Sequence, residues 1–293
     1  MTEQRSGLVA IVGKPNVGKS TFLNTLLATK VAPTSPKPQT TRRNLRGIYS
    51  ETDCQLVFVD TPGLHEPQDA LGGYMQEQLN QALSDVQAVC FLVDLRRPPD
   101  NLDRILARRV ANLPVLLIGT KADLVDDPEG MLELYSELVP AALVKRAVCA
   151  LESRDLAWVL DILCSLMPEG PLLYPPDLGR SDQSPESWAG ELIREAMLQF
   201  LHDELPYAST VLTSEFSERP NGLIYIKATI YVERDSQRGI VIGRGGRMLG
   251  EIGHRARKTI ELMTNRKVYL DLQVDVYPKW RQDPEALREL GYV

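Results

Sequence analysis

Short apolar runs alternate with amphipathic helical stretches over the first half of the chain. Five of these runs are strand candidates: Leu8 to Val12, Leu56 to Asp60, Ala88 to Asp94, Val115 to Thr120, and Arg146 to Cys149. Strands that alternate with helices predict βαβ units, and hence a mainly parallel sheet with helices on both faces. The first half of the chain is therefore predicted to be an α/β domain.

The pattern changes in the last third of the chain. Trp188 to His202 repeats apolar residues at helical spacing, and two strands are predicted after it. The second of them, Ile224 to Val232, alternates apolar and polar residues with a period of two, which buries one face only. A glycine-rich turn between two helical stretches follows, and Val268 to Val276 is the last strand candidate. The order helix, two strands, two helices, strand predicts a small α+β domain.

Residues 168–187 separate the two patterns and are rich in proline, glycine and serine. Such a composition opposes regular structure and favours an extended connector. We therefore predict a first domain at 1–172, a linker at 173–187, a second domain at 188–277 and a tail at 278–293.

Composition adds little to this picture, since 293 residues with 43% hydrophobic and 25% charged residues are ordinary globular material. No long apolar run and no basic segment leading into an apolar one is present, so the cytoplasm is the expected location. The four cysteines lie far apart without a C-x-x-C pair, so we expect reduced thiols rather than a zinc site or a disulfide framework.

Charge is distributed unevenly along the chain. The formal net charge is −6, which argues against a polyanion-binding surface over the whole protein. Residues 238–267, however, contain eight lysines or arginines and two acidic residues. A nucleic-acid-binding face is therefore expected only in the second domain.

A glycine-rich loop follows the first predicted strand directly. It reads Gly13, Lys14, Pro15, Asn16, Val17, Gly18, Lys19, Ser20, which fits G-x-x-x-x-G-K-[ST], and Thr21 continues into an amphipathic helix. Backbone N–H groups of such a loop and the helix N-terminus point at phosphates. Lys19 is expected to meet the β- and γ-phosphates and Ser20 to bind Mg²⁺.

Asp60, Thr61, Pro62 and Gly63 close the next strand, at the carboxyl edge of the predicted sheet. There the Asp60 carboxylate can hold Mg²⁺ through water while the Gly63 N–H meets the γ-phosphate. A further hydroxyl ligand for Mg²⁺ is expected from the polar stretch Pro38 to Arg42, which would close only on a γ-phosphate. Thr41 is our candidate, with Thr40 as its alternative.

Thr120, Lys121 and Asp123 follow the strand Val115 to Thr120 and are expected to decide which base is bound. A carboxylate accepts two parallel hydrogen bonds from N1–H and N2–H₂ of guanine, and adenine has no such pair of donors. Asp123 therefore indicates GTP or GDP, and the Lys121 stem can lie along the base. Cys149, Ala150 and Leu151 follow the last strand, where a backbone N–H can meet the guanine O6.

In this order the motifs resemble those of the Era family of GTPases, with Thr120 and Cys149 as departures from its usual asparagine and serine. The resemblance implies a P-loop GTPase domain followed by a type II KH domain. Leu64 stands where small signalling GTPases have the glutamine that orients water, so slow intrinsic hydrolysis is expected. In related GTPases the residue corresponding to Asn16 helps to hold a catalytic K⁺, which we carry over as a hypothesis alongside roles for Lys19, Thr41 and Gly63.

The glycine-rich turn of the second domain matches the G-x-x-G loop of KH domains, which lets a single-stranded nucleic-acid backbone approach. The residues expected to bind RNA are Ile242, Gly243, Arg244, Gly245, Gly246, Arg247 and Lys258. By resemblance the target is the 3′ end of 16S ribosomal RNA, not DNA, and the role is assembly of the 30S subunit. Two alternatives stay open: a nucleotide or metabolite kinase, and a signalling GTPase bound peripherally at the inner face of the cell membrane.

Overall fold

The computed structural model describes residues 4–292, which form two compact units. The first unit consists of the described residues up to Glu66 together with Met75–Asp182. The second consists of Pro67–Tyr74 and the described residues from Gln183 onward. Within residues 4–292, no helix is both long and apolar enough to cross a membrane.

The described residues of the first unit form six strands and five α-helices, and the first turn of α2 is grouped with the second unit. In chain order they are β1 Arg5–Val12, α1 Lys19–Leu26, β2 Leu45–Ser50, β3 Cys54–Asp60, α2 Ala70–Ser84, β4 Ala88–Asp94, α3 Asn101–Val110, β5 Val115–Thr120, α4 Pro128–Ser136, β6 Val144–Ala147 and α5 Ala157–Leu166.

The strands form one sheet in the order β2-β3-β1-β4-β5-β6, in which only β2 is antiparallel to its neighbour. Every residue of β3, β4 and β5 is buried, as expected when helices cover both faces of a parallel sheet. Alternate residues of β1 enter different cores: Val9 and Ile11 pack with α1 and α5, whereas Ala10 and Val12 pack with α2, α3 and α4. This topology brings the carboxyl ends of β1, β3, β4 and β5 to one edge.

The second unit is a three-stranded sheet with helices on one face. Its elements are α6 Pro185–Phe200, α7 Leu205–Ala208, β7 Thr210–Glu218, β8 Ile224–Val232, α8 Asp235–Ile242, α9 Arg247–Thr264, β9 Val268–Val276 and α10 Pro284–Glu289. The strand order is β7-β8-β9, with β8 antiparallel to β7 and parallel to β9. The apolar positions of β8 are buried against α6 and α9, and the alternate positions stay partly or fully exposed.

The connector between the two patterns is shorter and more ordered than its composition predicts. Helix α6 begins at Pro185, inside the predicted linker, because the Ser184 hydroxyl accepts a hydrogen bond from Ser187 N–H (3.2 Å) and proline is favourable at the first helical position. Before it, the Tyr174 backbone exchanges two hydrogen bonds with the Gln55 side chain, at 2.9 Å each. The part of the connector before α6 is therefore held to the first unit by hydrogen bonds.

Residues 278–293 were predicted to be a tail, and the described part of this segment folds onto the second unit. Trp280 is fully buried and donates its indole N–H to the Ala208 carbonyl at 3.1 Å. Leu287 and Leu290 are buried as well.

The expectation of reduced thiols without a disulfide framework is wrong for two of the four cysteines. Cys54 and Cys164 form a disulfide with a Cα–Cα distance of 5.9 Å. Their sequence separation of 110 residues concealed the pair, because only packing of α5 against β3 brings them together. Cys90 and Cys149 are free.

Candidate functional site

The loop after β1 has the backbone geometry of a phosphate-binding loop. Gly18 has φ 102° and Asn16 has φ 63°, a conformation that favours glycine and asparagine. A Cβ at Gly13 would lie 2.5 Å from the Leu92 carbonyl oxygen, so this position requires glycine. Among residues 4–292, no side chain caps α1, so its first backbone N–H groups can meet an anion.

Lys19 and Asp60 are the two charged groups buried beneath this loop. Residue Lys19 is 6% exposed, and its ammonium donates to the carbonyls of Gly13 (3.2 Å) and Lys14 (3.0 Å). Burial lowers the pKa of Lys19 to about 8, with the Asp60 charge opposing the shift. Burial likewise raises the pKa of Asp60 against the effect of Lys19. A bound polyphosphate would favour the charged form of this lysine.

Three oxygen atoms converge beside Lys19. Ser20 Oγ donates to Asp60 Oδ2 at 2.7 Å, Thr41 Oγ1 lies 3.1 Å from the same oxygen, and the two hydroxyls are 3.0 Å apart. The other carboxylate oxygen, Asp60 Oδ1, is buried and has no hydrogen-bond partner among the described residues. This donor set of hard oxygens suits Mg²⁺. The Thr40 hydroxyl instead donates to the Lys37 carbonyl at 2.7 Å, so Thr41 is the residue placed at this point.

The residues that follow β3 have two different environments: Gly63 lies at the phosphate loop, whereas Thr61 and Leu64 lie in the interior. Gly63 lies against the phosphate loop, because a Cβ there would be 2.6 Å from Pro15 N. The Thr61 hydroxyl, by contrast, donates to the Ile11 carbonyl at 2.8 Å, and Leu64 is buried in the core beneath the sheet. Leu64 thus supplies packing. His65, which was not predicted, has its Nδ1 3.1 Å from the Gly63 carbonyl oxygen.

Thr120, which stands where the family usually has asparagine, contacts the phosphate loop. Its buried hydroxyl lies 2.6 Å from the Val17 carbonyl and 3.0 Å from the Val93 carbonyl, so it ties β5 to the loop. Burial raises the pKa of the Cys149 thiol. The Leu151 backbone N–H opposes this shift, and the Asp123 carboxylate adds to it.

Asp94 is a site residue that the sequence analysis missed. It ends β4 and accepts a hydrogen bond from Lys121 Nζ at 2.6 Å, while Arg96 binds it with two nitrogens at 2.8 and 3.0 Å. Burial alone would raise the pKa of Asp94, but the bonds from Arg96 and Lys121 outweigh it and hold the pKa at about 2. Lys121 Nζ also donates to the Asn16 carbonyl at 2.6 Å. Asp94 could have been identified from the sequence, because it is a carboxylate at the end of an apolar strand, the same feature that identified Asp60.

Lys14 was predicted to bind nucleotide and has an additional structural contact. Its ammonium lies 2.7 Å from carboxylate oxygens of Asp100 and Asp103, the residues that cap α3. Burial lowers the pKa of Lys14, but these two bonds outweigh it and raise the pKa overall. The phosphate loop is thereby joined to the N-terminus of α3.

A cavity of about 910 Å³ opens beside the phosphate loop. Its walls include the phosphate loop, residues 34–36, Asp94, Lys121 and the exposed side chain of Leu151. Volumes of this order accommodate a nucleotide-sized ligand. A smaller cavity of about 50 Å³ lies between Lys19, Gly63 and Thr41, where a terminal phosphate would meet the loop.

The second unit carries the G-x-x-G loop between α8 and α9. Gly243, Gly245 and Gly246 have φ of 72°, 61° and 78°, which side chains rarely adopt. A Cβ at Gly245 or Gly246 would meet nothing within 4 Å, so the loop faces open space. In the part of the chain that the structure describes, no side chain caps α9, and Arg244 and Arg247 are exposed at its start. Ile242 is only partly buried, beside this loop.

A groove of about 490 Å³ runs from this loop between α9 and β9. Both walls combine glycine or apolar residues with polar ones: Gly246, Leu249, Gly250, Gly253, His254 and Arg257 on the helix side, and Tyr269, Leu270 and Leu272 on the strand. Lys258 is exposed on α9 but does not line the groove.

Two family models match the chain. One, described as 50S ribosome-binding GTPase, matches residues 8–121, and the other, described as KH domain, matches residues 204–281. The first range contains the phosphate loop and strand β5, and the second contains the G-x-x-G loop.

Similarity to individual proteins extends over nearly the whole chain. GTPase Era of Deinococcus radiodurans is 50% identical over 98% of this chain and 94% of its own length, and GTPase Era of Deinococcus deserti is 48% identical over 98% and 95%. A crystal structure of an Aquifex aeolicus Era variant bound to GDP·AlF₄⁻ has a TM-score of 0.93, with 34% identity, covering 99% of this chain and all of that one. A structure of Era with MgGDPNP and nucleotides 1506–1542 of 16S ribosomal RNA has a TM-score of 0.92, with 35% identity and 99% coverage of both chains.

Proposed function

The chain belongs to the Era family of GTPases, and on this basis we propose that it is a GTP-hydrolysing switch that binds the 3′ end of 16S ribosomal RNA and assists assembly of the 30S subunit. Membership of this family sets aside the kinase alternative, because the reaction is hydrolysis of GTP to GDP and phosphate with water as the acceptor. The RNA target is supported by the ligand of the similar Era structure and by the groove of the second unit.

One observation supports a GTP-dependent switch: Thr41, from the loop between α1 and β2, lies within hydrogen-bond distance of Ser20 and Asp60 next to Lys19. A loop hydroxyl at this point can report whether a γ-phosphate is present. We propose that the hydroxyls of Ser20 and Thr41 hold Mg²⁺ directly and that Asp60 holds it through water. The bound ion would neutralise charge on the β- and γ-phosphates.

Guanine recognition is assigned to Asp123, with Cys149 beside it and the Lys121 stem along the base. In this proposal Asp94 is a positioning residue, because it and the Asn16 carbonyl fix the Lys121 ammonium at 2.6 Å each. Leu151, exposed at the cavity wall, supplies an apolar surface for the opposite face of the base.

Hydrolysis requires a group that replaces the missing glutamine, since Leu64 is buried in the core. We propose that Asn16 helps to hold a K⁺ ion for this purpose. Its side-chain nitrogen donates to the Pro36 carbonyl at 2.7 Å, so its amide oxygen is the atom for a cation. Turnover that stays the same when K⁺ is replaced by Na⁺ would contradict this assignment.

The cytoplasm is the location that fits a ribosomal partner. A peripheral fraction at the inner face of the cell membrane is the alternative, and fractionation of cells into membranes, ribosomal subunits and supernatant distinguishes the two.

The decisive experiment measures RNA affinity of the full chain with GDP and with a non-hydrolysable GTP analogue, using the RNA fragment bound in the Era complex. Tighter binding with the GTP analogue and co-sedimentation with 30S subunits are expected. Equal affinity in both nucleotide states would remove the switch from the proposal, and no binding in either state would remove the RNA function.

A further inference from the structure

The second residue of the phosphate loop is tied to a buried carboxylate on α3. The Lys14 ammonium lies 2.7 Å from Asp103 Oδ2 and 2.7 Å from Asp100 Oδ2. The side chain of Asp103 has no exposed surface, whereas 56% of the Asp100 side chain is exposed. Solvent screens the charge of Asp100 more than that of Asp103, so Asp103 is the stronger electrostatic partner of Lys14.

The Lys14–Asp103 pair is poorly suited to a purely structural role. Burial raises the pKa of Asp103, and the hydrogen bond from Lys14 opposes that shift. The second carboxylate oxygen, Asp103 Oδ1, is buried and has no hydrogen-bond partner within residues 4–292. A buried ion pair contributes little net stability, and apolar side chains of similar volume often replace one without loss. A buried and incompletely bonded pair therefore indicates a role beyond stability.

The Asp103 carboxylate is fixed in the fold. Helix α3 packs into the core through the fully buried Leu106. Asp103 Oδ2 also accepts the Asp100 N–H at 2.9 Å, as part of the capping box that begins this helix. The loop before α3 is held as well, because the hydroxyl of the buried Tyr135 donates to the Arg97 carbonyl at 2.9 Å. The Lys14 side chain is thus attached to a well-anchored point.

The backbone of Lys14 contacts the lysine that is expected to meet the phosphates. The Lys14 carbonyl accepts a hydrogen bond from Lys19 Nζ at 3.0 Å, and the Gly13 carbonyl accepts another at 3.2 Å. Gly13 is fixed by packing, since a Cβ there would lie 2.5 Å from the Leu92 carbonyl oxygen. Lys14 is fixed through its side chain, at α3. These two carbonyls together orient the Lys19 ammonium.

We propose that Lys14 and Asp103 are positioning residues for GTP hydrolysis, which hold the Lys14 carbonyl where it directs the Lys19 ammonium at the β- and γ-phosphates. The inference rests on the proposed hydrolysis of GTP and adds two residues to it. Charge shifts among the phosphate oxygens in the transition state, and an ammonium that is already oriented stabilises it without reorganisation. The backbone N–H groups of the loop still bind phosphate without the pair. Loss of the pair should therefore lower turnover more than GTP affinity.

The test measures turnover at saturating GTP, GTP affinity and resistance to denaturant in variants of the full chain. Lys14→Met and Asp103→Asn each remove one charge of the pair, and the asparagine keeps an acceptor for the Asp100 N–H. Each variant is expected to lower turnover about tenfold and GTP affinity less than about threefold. Both should unfold at lower denaturant than wild type, because each leaves a charge without its partner.

The double variant Lys14→Met/Asp103→Asn separates positioning from stability. It contains neither charge of the buried pair, so its resistance to denaturant should return toward that of wild type. Its turnover should stay about tenfold low and fall no further than in either single variant, because both substitutions remove the same interaction. Lys14→Arg keeps a cation for both carboxylates, so its turnover should stay within about twofold of wild type.

Asp127→Asn is the control for a change at a helix-capping carboxylate, since Asp127 caps α4 and not α3; it should leave turnover and affinity unchanged. Turnover that recovers together with stability in the double variant would overturn the positioning role, as would wild-type turnover in a folded Lys14→Met. If a single variant does not fold, the double variant decides the question. Absence of GTP hydrolysis in wild type would instead remove the proposed function on which the inference rests.

Discussion

The charged side chains beneath the phosphate loop of the nucleotide site are buried, whereas those of the RNA groove are exposed. At the nucleotide site, Lys19 is 6% exposed, Asp60 is fully buried, and both are hydrogen-bonded before any ligand arrives. At the groove, Arg244 and Arg247 are exposed at the start of a helix without a side-chain cap. Charges in a low-dielectric pocket interact strongly, whereas exposed charges are screened. Single substitutions of charged residues should therefore have large effects at the first site and small effects at the second.

The largest effect is expected from Asp123→Asn. Guanine needs an acceptor pair at this position, and the amide supplies only one acceptor with a donor. Affinity for GTP should fall by at least about 100-fold, because unpaired polar groups are left in the base pocket. Affinity for xanthosine triphosphate should rise, because its 2-oxo group needs a donor.

Titration of fluorescent nucleotides measures both affinities. Asp127→Asn is the matched control, since Asp127 lies four residues away and caps α4 through the Gly130 N–H. A similar loss in Asp127→Asn would mean that general damage to this loop, and not base recognition, explains the effect.

At the groove, Gly246→Asp is expected to lower RNA affinity about 30-fold and leave GTP turnover without RNA unchanged. The substitution places a side chain at φ 78° and a negative charge at the N-terminus of α9. Gly222→Asp is the control, because Gly222 has φ 79°, equally open surroundings and a place in the hairpin between β7 and β8. Filter binding that finds equal losses in both variants would contradict a role for the loop itself.

The buried lysine predicts a pH effect that the groove should not show. In the free protein the pKa of Lys19 is about 8, below its ordinary value, whereas bound phosphates favour the ammonium form. GTP affinity should therefore be constant below pH 8 and fall by up to about tenfold per unit above it, with proton uptake on binding. Calorimetry at pH 8.5 in two buffers of different ionisation enthalpy measures that uptake. No uptake would show that Lys19 is already protonated in the free protein.

Asp94→Asn should have a smaller effect, about five- to tenfold on GTP and GDP affinity alike. Lys121 would keep its bond to the Asn16 carbonyl, and the neutral asparagine oxygen would still accept a bond, so only part of the roughly 1.5 kcal/mol of a charge-assisted bond is lost. Turnover at saturating GTP should be unchanged, because Lys121 does not meet the γ-phosphate. A loss of maximal turnover without a loss of affinity would contradict the positioning role. Asp85→Asn, an exposed carboxylate just before β4, is the control.

The same contrast explains what could be predicted from the sequence. Val115–Thr120 and Ile224–Val232 were predicted with their observed bounds, because burial on two faces or on one gives an unambiguous periodicity. Strand β2 was missed: it is an antiparallel edge strand, and Arg46 and Gly47 interrupt its apolar pattern. The motifs of the nucleotide site are local in sequence, so single windows of the chain were enough to identify them as candidates.

Contacts between distant segments were not predictable in this way. Asp94 meets Lys121 only because β4 and β5 are neighbours in the sheet, with Asp94 in register with Thr120. The Cys54–Cys164 disulfide depends on packing of α5 on the sheet, and no pattern in either segment indicates it. Register and packing are set by the whole fold, so they are absent from any single window of sequence.

The smallest effect is expected from Lys258→Ala, at most about two- to threefold on RNA affinity at moderate salt. Lys258 is exposed on α9 and lies outside the lining of the groove, so it can act only as a screened phosphate contact. Its removal should reduce the slope of log affinity against log salt by about 0.7, the value for one contact to a single strand. Lys145→Ala, which removes an exposed lysine from β6, should change neither quantity. If Lys258→Ala instead lowers RNA affinity as much as Gly246→Asp does, exposed charges determine RNA affinity at this groove, and the contrast between the two sites is wrong.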